Sequence, residues 1–189
     1  SVSLGRYYST QADTRQPQFM QSTLFYGLPA DITFYGGAQL ADDYQAWSVG
    51  LGHGFGELGS LGADYTSAAT RTPSGQRFHG NSARLQYQKS FAAIGTTLSL
   101  ASYRYSSSRY YDFGEANALE GRYGVSDNKR SREELSLSQS LGDMGSLSAS
   151  AWTQTYWHSQ GQDETVHVGF YSAWKGISWG VGYYYTRAS

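Results

Sequence analysis

Between Leu24 and Thr66 the chain reads LFYGLPADITFYGGAQLADDYQAWSVGLGHGFGELGSLGADYT, runs of apolar residues alternating with small or polar ones. No other feature limits the fold so tightly. A period of two sends successive side chains to opposite faces of a sheet. GLPAD and GFGELGS read as tight turns, and LADDYQ between them as a looser one. Strands that go up and down with a short turn at one end and a longer loop at the other make the wall of a membrane-spanning β-barrel.

The rest of the chain repeats that unit. Alternation and turn residues predict about eleven strands, near 1–9, 18–28, 32–41, 44–56, 60–70, 76–91, 96–112, 130–141, 146–158, 164–174 and 177–187. No segment holds a 3.6-residue period for long, so essentially no helix is expected. LPAD, GELG, AAIG, GDMG and KGIS are short and rich in Gly and Asp, as hairpin turns are. Between them fall TQADTRQPQ, LADDY, RTPSGQ, SSSRYYDFGEANALEGRYGVSDNK and SQGQDE, so short and long connections are expected to alternate without a break.

Side-chain parity assigns the two faces. Trp47, Val49 and Leu51 oppose Ser48, Gly50 and Gly52, and Leu61, Ala63 and Tyr65 oppose Gly62, Asp64 and Thr66. Leu85 opposes Arg84, Gln86 and Gln88, while Leu135 and Leu137 oppose Ser136 and Ser138. Val166 and Val168 oppose His167, and Trp179 and Val181 oppose Gly180 and Gly182. Trp47, Trp157, Trp174 and Trp179 lie near strand ends, where aromatic girdles sit at membrane interfaces. The seventh strand breaks the rule, because Arg104 shares a face with Leu98 and Leu100. Either a bulge near Ser102 shifts the register, or Arg104 has already left the hydrocarbon.

Composition agrees with a barrel. Only 15% of residues are charged, yet mean hydropathy is -0.53. Apolar outward residues alternating with Gly, Ser and Gln produce both traits, although soluble lectin-like sandwiches share them. A net charge of -1 argues against nucleic acid as a partner. The lack of cysteine removes disulfides and thiolate metal sites. There is no initiator Met and no leader, so the expectation is a mature chain or an internal piece.

No stretch assembles a catalytic or cofactor site. Gly54-Phe-Gly56-Glu-Leu-Gly59 satisfies the dinucleotide pattern, but a strand rather than a helix follows it. His53, His79, His158 and His167 fall on different strands without metal-ligand spacing. Gly80-Asn-Ser82-Ala-Arg84 begins like a nucleophile elbow and lacks the closing Gly. Asp42–Asp43 and Glu133–Glu134 are adjacent pairs whose side chains point to opposite faces. Lys129-Arg130-Ser-Arg132 is expected to form a solvated loop rim.

Several longer strings resemble the outer-membrane ushers of the chaperone–usher pathway. They are QSTLFYGLPADITFYGGAQLADDYQAWSVGLGHGFGELGSLGADYTSA, GNSARLQYQKSF, TTLSLASYRYSSSRYYDF, NKRSREELSLSQSLGDMGSL, TYWHS and WKGISWGVGYYYTR, which cover nearly the whole chain. The resemblance implies an all-β fold, an antiparallel up-and-down meander forming part of a large transmembrane β-barrel. It also implies one segment over residues 1–189, without the plug, recruiting or C-terminal domains of a whole usher. Implied partners are pilus subunits, periplasmic chaperone–subunit complexes, outer-membrane lipid and a second copy in a homodimer, with no cofactor and no enzymatic step. An odd strand count implies a wall completed by further strands.

The lumen-lining residues are then expected to be Asp64, Arg84, Gln86, Gln88, Ser136, Ser138 and Gln154. The lipid-facing ones are expected to be Trp47, Val49, Leu51, Leu85, Leu135, Leu137, Val166, Val168, Trp179 and Val181. A passive porin-like channel, a barrel-type membrane enzyme and a soluble lectin-like sandwich stay open as alternatives.

Overall fold

The computed structural model describes residues 1–7, 16–72, 75–105, 109–118, 129–157 and 160–188. Its strands are β1 (Val2–Arg6), β2 (Gln18–Leu28), β3 (Ile32–Ala41), β4 (Tyr44–Gly54), β5 (Ser60–Arg71) and β6 (Arg77–Phe91). They continue with β7 (Thr96–Tyr105), β8 (Lys129–Ser140), β9 (Ser146–Tyr156), β10 (Gln162–Trp174) and β11 (Ile177–Ala188). All belong to one sheet in chain order, each antiparallel to the strand before it. Among the described residues, β1 and β11 each have a neighbour on one side only.

Two features depart from the sequence reading at the turns. The β3–β4 connection is only Asp42–Asp43, while β4–β5 takes the five residues 55–59, so the looser and tighter turns are exchanged; β5–β6 and β9–β10 are no longer than the five-residue turns before them, so the length alternation is broken there as well. The wider turn is a repeated device. Phe55 N–H donates to Gly59 O at 2.8 Å and Gly59 N–H to Gly56 O at 3.1 Å; Leu141, Gly142 and Gly145 repeat the pattern at 2.8 and 3.2 Å. Its first and last glycines have positive φ in both copies (Gly56 59°, Gly59 100°; Gly142 61°, Gly145 123°), which side-chain-bearing residues adopt at a cost. The apparent dinucleotide motif is thus a hairpin turn.

The expectation of essentially no helix is also corrected. A six-residue helix, α1 (Phe113–Ala118), lies in the β7–β8 connection, and β7 ends at Tyr105 rather than near 112. The chain leaves the sheet there because residues 109–118 fold back over it, as described below.

Register resolves the seventh strand. Pairing of β7 with β6 and β8 is continuous, so no bulge lies near Ser102. Arg104 pairs with Ala83 and Ser131, and Thr155 and Gln162 extend the same row. That row begins in apolar Val49 and Tyr65 and ends in polar side chains. The neighbouring row behaves likewise, from Leu51, Ala63 and Leu85 to Ser102, Glu133, Thr153 and Glu164. The apolar belt therefore drifts towards the short-turn end as strands succeed one another, as strands tilted to a barrel axis require. Arg104 stands one step beyond the belt. The register shift expected in β7 occurs instead in β8, between Lys129 and Ser131.

Candidate functional site

The seven residues expected to line a lumen all fall on one face of the sheet, and the ten expected to meet lipid all fall on the other. The second face is largely uncovered; Leu51 is 55% exposed and Val181 67%. His53 lies on this apolar face with its ring edge-on to Phe55 at 4.4 Å, and His167 lies on the polar face, stacked on Tyr184 at 4.1 Å. His158 is outside the described residues. Among the described residues no cluster of three His, Asp or Glu could hold a metal ion.

One register row of the polar face runs Tyr35, Gly50, Asp64, Arg84, Tyr103, Arg132, Gln154 and Asp163. Its side chains join across strands. Asp64 Oδ2 accepts from Tyr35 Oη at 2.9 Å and from Arg84 Nε at 2.7 Å. Arg84 lies 5.9 Å from the Tyr103 ring centre. Farther along, Arg132 pairs with Glu134, lies 4.4 Å from the Trp152 ring centre and reaches Gln154 Oε1 at 3.4 Å. Gln154 Nε2 donates to Tyr156 Oη at 2.9 Å, and that hydroxyl donates to Asp163.

Asp64 and Tyr35 stand two strands apart and meet because the residue between them is Gly50. A Cβ there would lie 2.4 Å from the Tyr35 ring and 2.7 Å from Asp64 Cβ. Glycine lets the tyrosine lie flat across β4. Towards the short turns the same face carries Gln86, Gln88, Ser99, Ser136, Ser138, Ser148 and Ser150, a surface of hydroxyls and amides. Tyr35, Tyr103, Trp152 and Tyr156 were not singled out in sequence, and Arg132 and Glu134 were noted there only within a basic cluster and an acidic pair. Parity gives a residue's face, whereas partnership needs the register.

At the opposite end the polar face is covered. Residues 109–118 lie over it, and the buried cluster among the described residues joins Tyr111 and Ala116 of this overhang to Tyr44, Ala46 and Ala68 of the sheet. Phe113 is the hub, with ring centres at 5.3 Å to Tyr7, 5.4 Å to Phe19 and 5.3 Å to Tyr44. Asp112 and Glu115 cap α1 reciprocally. Glu115 N–H donates to Asp112 Oδ1 and Asp112 N–H to Glu115 Oε2, both at 2.9 Å. Lys129 then bridges both carboxylates, at 2.9 Å to Asp112 and 2.8 Å to Glu115. The β8 bulge makes this possible. Plain alternation would put Lys129 with Ser131 on the apolar face; the extra residue pairs it with Tyr156 and turns it inward. Lys129 is therefore a clamp rather than part of a solvated rim. Arg130 lies 5.4 Å from the Trp157 ring centre, and Arg132 joins the polar row.

This clamp has a pH consequence. Burial pushes the Asp112 carboxyl up, but the Lys129 ammonium and the Glu115 N–H outweigh it, and the net direction is down. A lowered carboxylate contributes stability above its unfolded value, about 3.9, and loses it as pH falls through the lower folded value. The overhang should stay seated from pH 7 to 5 and loosen only below about pH 4. Near-UV circular dichroism from Tyr44 and Tyr111, buried where the overhang meets the sheet, should then be flat over the first range and change in the second. A step between pH 7 and 5 would assign the control to another group.

Comparison with known proteins follows this geometry. The chain matches the family model described as outer membrane usher protein over residues 1–189. It is similar to the outer membrane usher protein FimD of Escherichia coli K12, 35% identical over 99% of the chain and 24% of the relative. The translocation pore of the P pilus usher PapC superposes with a TM-score of 0.72 at 26% identity, over 100% of this chain and 38% of that one. PapC in the E. coli P pilus tip assembly intermediate PapC-PapD-PapK-PapG matches with a TM-score of 0.64 at 27% identity, covering 100% and 24%. The chain thus spans about a quarter of FimD.

Proposed function

Since the chain belongs to the outer membrane usher family, we propose that residues 1–189 form a single sector of the wall of a pore that moves folded pilus subunits across the outer membrane. In this reading the apolar face meets lipid and the polar face lines the passage. Further strands beyond β1 and β11 complete the wall, because unpaired strand edges do not persist in hydrocarbon. Its partners are pilus subunits delivered by periplasmic chaperones, a reading supported by the similarity to PapC within a pilus tip assembly intermediate. A passive porin-like channel is not favoured, since the relatives matched are ushers.

The observation that carries the proposal is the state of the charges on the polar face. Asp64 is paired with Arg84, and Arg132 with Glu134. Strong unpaired charge would hold a complementary cargo. Charges closed on one another, beside a field of serine and glutamine, give a hydrated wall on which a folded body slides. The passage then needs no catalytic group in this sector.

The test is a set of single alanine changes at Gln86, Gln88, Ser136 and Ser138 in the full-length protein, with surface pili counted in cells lacking their own usher. Exposed polar truncations are usually worth within about 0.5 kcal/mol, so pilus number should stay within about twofold of wild type. Loss of pili from any one of them, with normal membrane insertion, would contradict a sliding wall.

A further inference from the structure

On the apolar face a groove of about 600 Å³ runs between β3 and β7. Ala63 and Ala83 form its floor, and Leu51, Tyr65 and Leu85 rise beside it. Side chains this small leave a hollow in the apolar belt, of a chemistry suited to a hydrocarbon chain. At the long-loop end, just beyond the belt, the groove finishes on Arg104, which is exposed. Among the described residues Arg104 forms no ion pair. Its diagonal neighbour Glu133 is engaged by the Ser102 hydroxyl at 2.9 Å.

A second groove of about 530 Å³ lies beside it, walled by Leu100, Leu135 and Val166, and finishes on Glu133 and Glu164. The two share an apolar body and differ in the charge at the headgroup end. A guanidinium offers a planar fork of donors suited to phosphate, whereas two carboxylates repel it.

We propose that the Ala63–Ala83 groove is a binding site for a phosphorylated glycolipid of the outer leaflet, one acyl chain lying on the alanines and a phosphate on Arg104. The assignment rests on the outward orientation of the apolar face given above. Longer loops mark the external side of such barrels, which puts Arg104 at the level of the outer-leaflet headgroups.

Native mass spectrometry of the full-length protein in mild detergent tests it, with lipid A and its dephosphorylated form as probes. Wild type should retain phosphorylated lipid A in preference to the dephosphorylated form. One basic side chain at an anionic lipid surface is worth about fivefold in affinity, so Arg104→Gln should lose about fivefold and Arg104→Glu about twenty-five-fold. Ala83→Trp, which fills the groove and leaves the charge, should lose retention of both forms. Equal retention by wild type and Arg104→Glu would overturn the site, as would indifference to the phosphate. Disulfide cross-linking of Ala63→Cys to a second copy in native membranes would give the groove to a dimer and also overturn it. Membrane fractionation of the wild type, done first, separates the two levels: a protein absent from the outer membrane would defeat the pore-wall reading itself, and this site with it.

Discussion

Replacing Gly80 with valine will unseat the overhang while leaving the sheet intact. A Cβ at position 80 would lie 2.3 Å from Tyr110 Cα and 2.4 Å from its nitrogen, so the obstruction is backbone that cannot rotate aside. Overpacking ordinarily costs about 1–3 kcal/mol, and a blocked main chain belongs at the upper end of that range. Each 1.4 kcal/mol spent on opening the overhang raises exposure of what lies beneath about tenfold. Ala116, on the sheet-facing side of the overhang and 8% exposed, is a natural reporter. In an Ala116→Cys background, maleimide labelling should accelerate at least about tenfold on Gly80→Val. Gly27→Val is the control, because a Cβ there meets nothing within 4 Å. Equal labelling rates in both would mean that Tyr110 does not rest on Gly80 in the membrane.

The second large effect is expected at Arg84. Its side chain is 32% exposed and that of Asp64 only 11%, so removing the guanidinium strands the more buried partner. Breaking a buried pair costs about 3–5 kcal/mol. With Arg84 one-third in solvent, about 2–4 kcal/mol is the expected loss for Arg84→Ala, read as a lower heat-unfolding midpoint of the barrel in detergent. The double change Asp64→Asn/Arg84→Gln should recover much of that loss, because no bare charge remains and Tyr35 keeps an acceptor. Additive losses in the double variant would show that the two residues are not coupled. Pilus assembly should be affected less than stability, since the wall offers cargo no other grip at this point.

Faces were legible in the sequence because a strand's period needs no knowledge of its neighbours. Leu85 and Gln86 could be assigned by parity alone. Partnership was not legible. Nothing local says that Tyr35 reaches Asp64 across Gly50, since that contact depends on the register of three strands. Arg104 looked anomalous for the same reason: only the drift of the belt against the register shows that its row has left the apolar zone. The overhang was missed for a different reason. Its six-residue helix is too short to display a period, yet Asp112-Phe-Gly-Glu115 carries the capping-box spacing and could have flagged it. Lys129 was invisible to parity because a bulge reverses the face it takes.

The slanted relation between pairing and depth has one more outcome. Along a single row, Asp64 and Arg84 sit midway down their strands, while Gln154 and Asp163 sit near the rim. The inner polar groups are thus arranged as a rising staircase instead of a collar. A descending body meets each rung at a different moment, and no one depth presents them all together, so resistance is spread along the journey and never gathered into a single barrier.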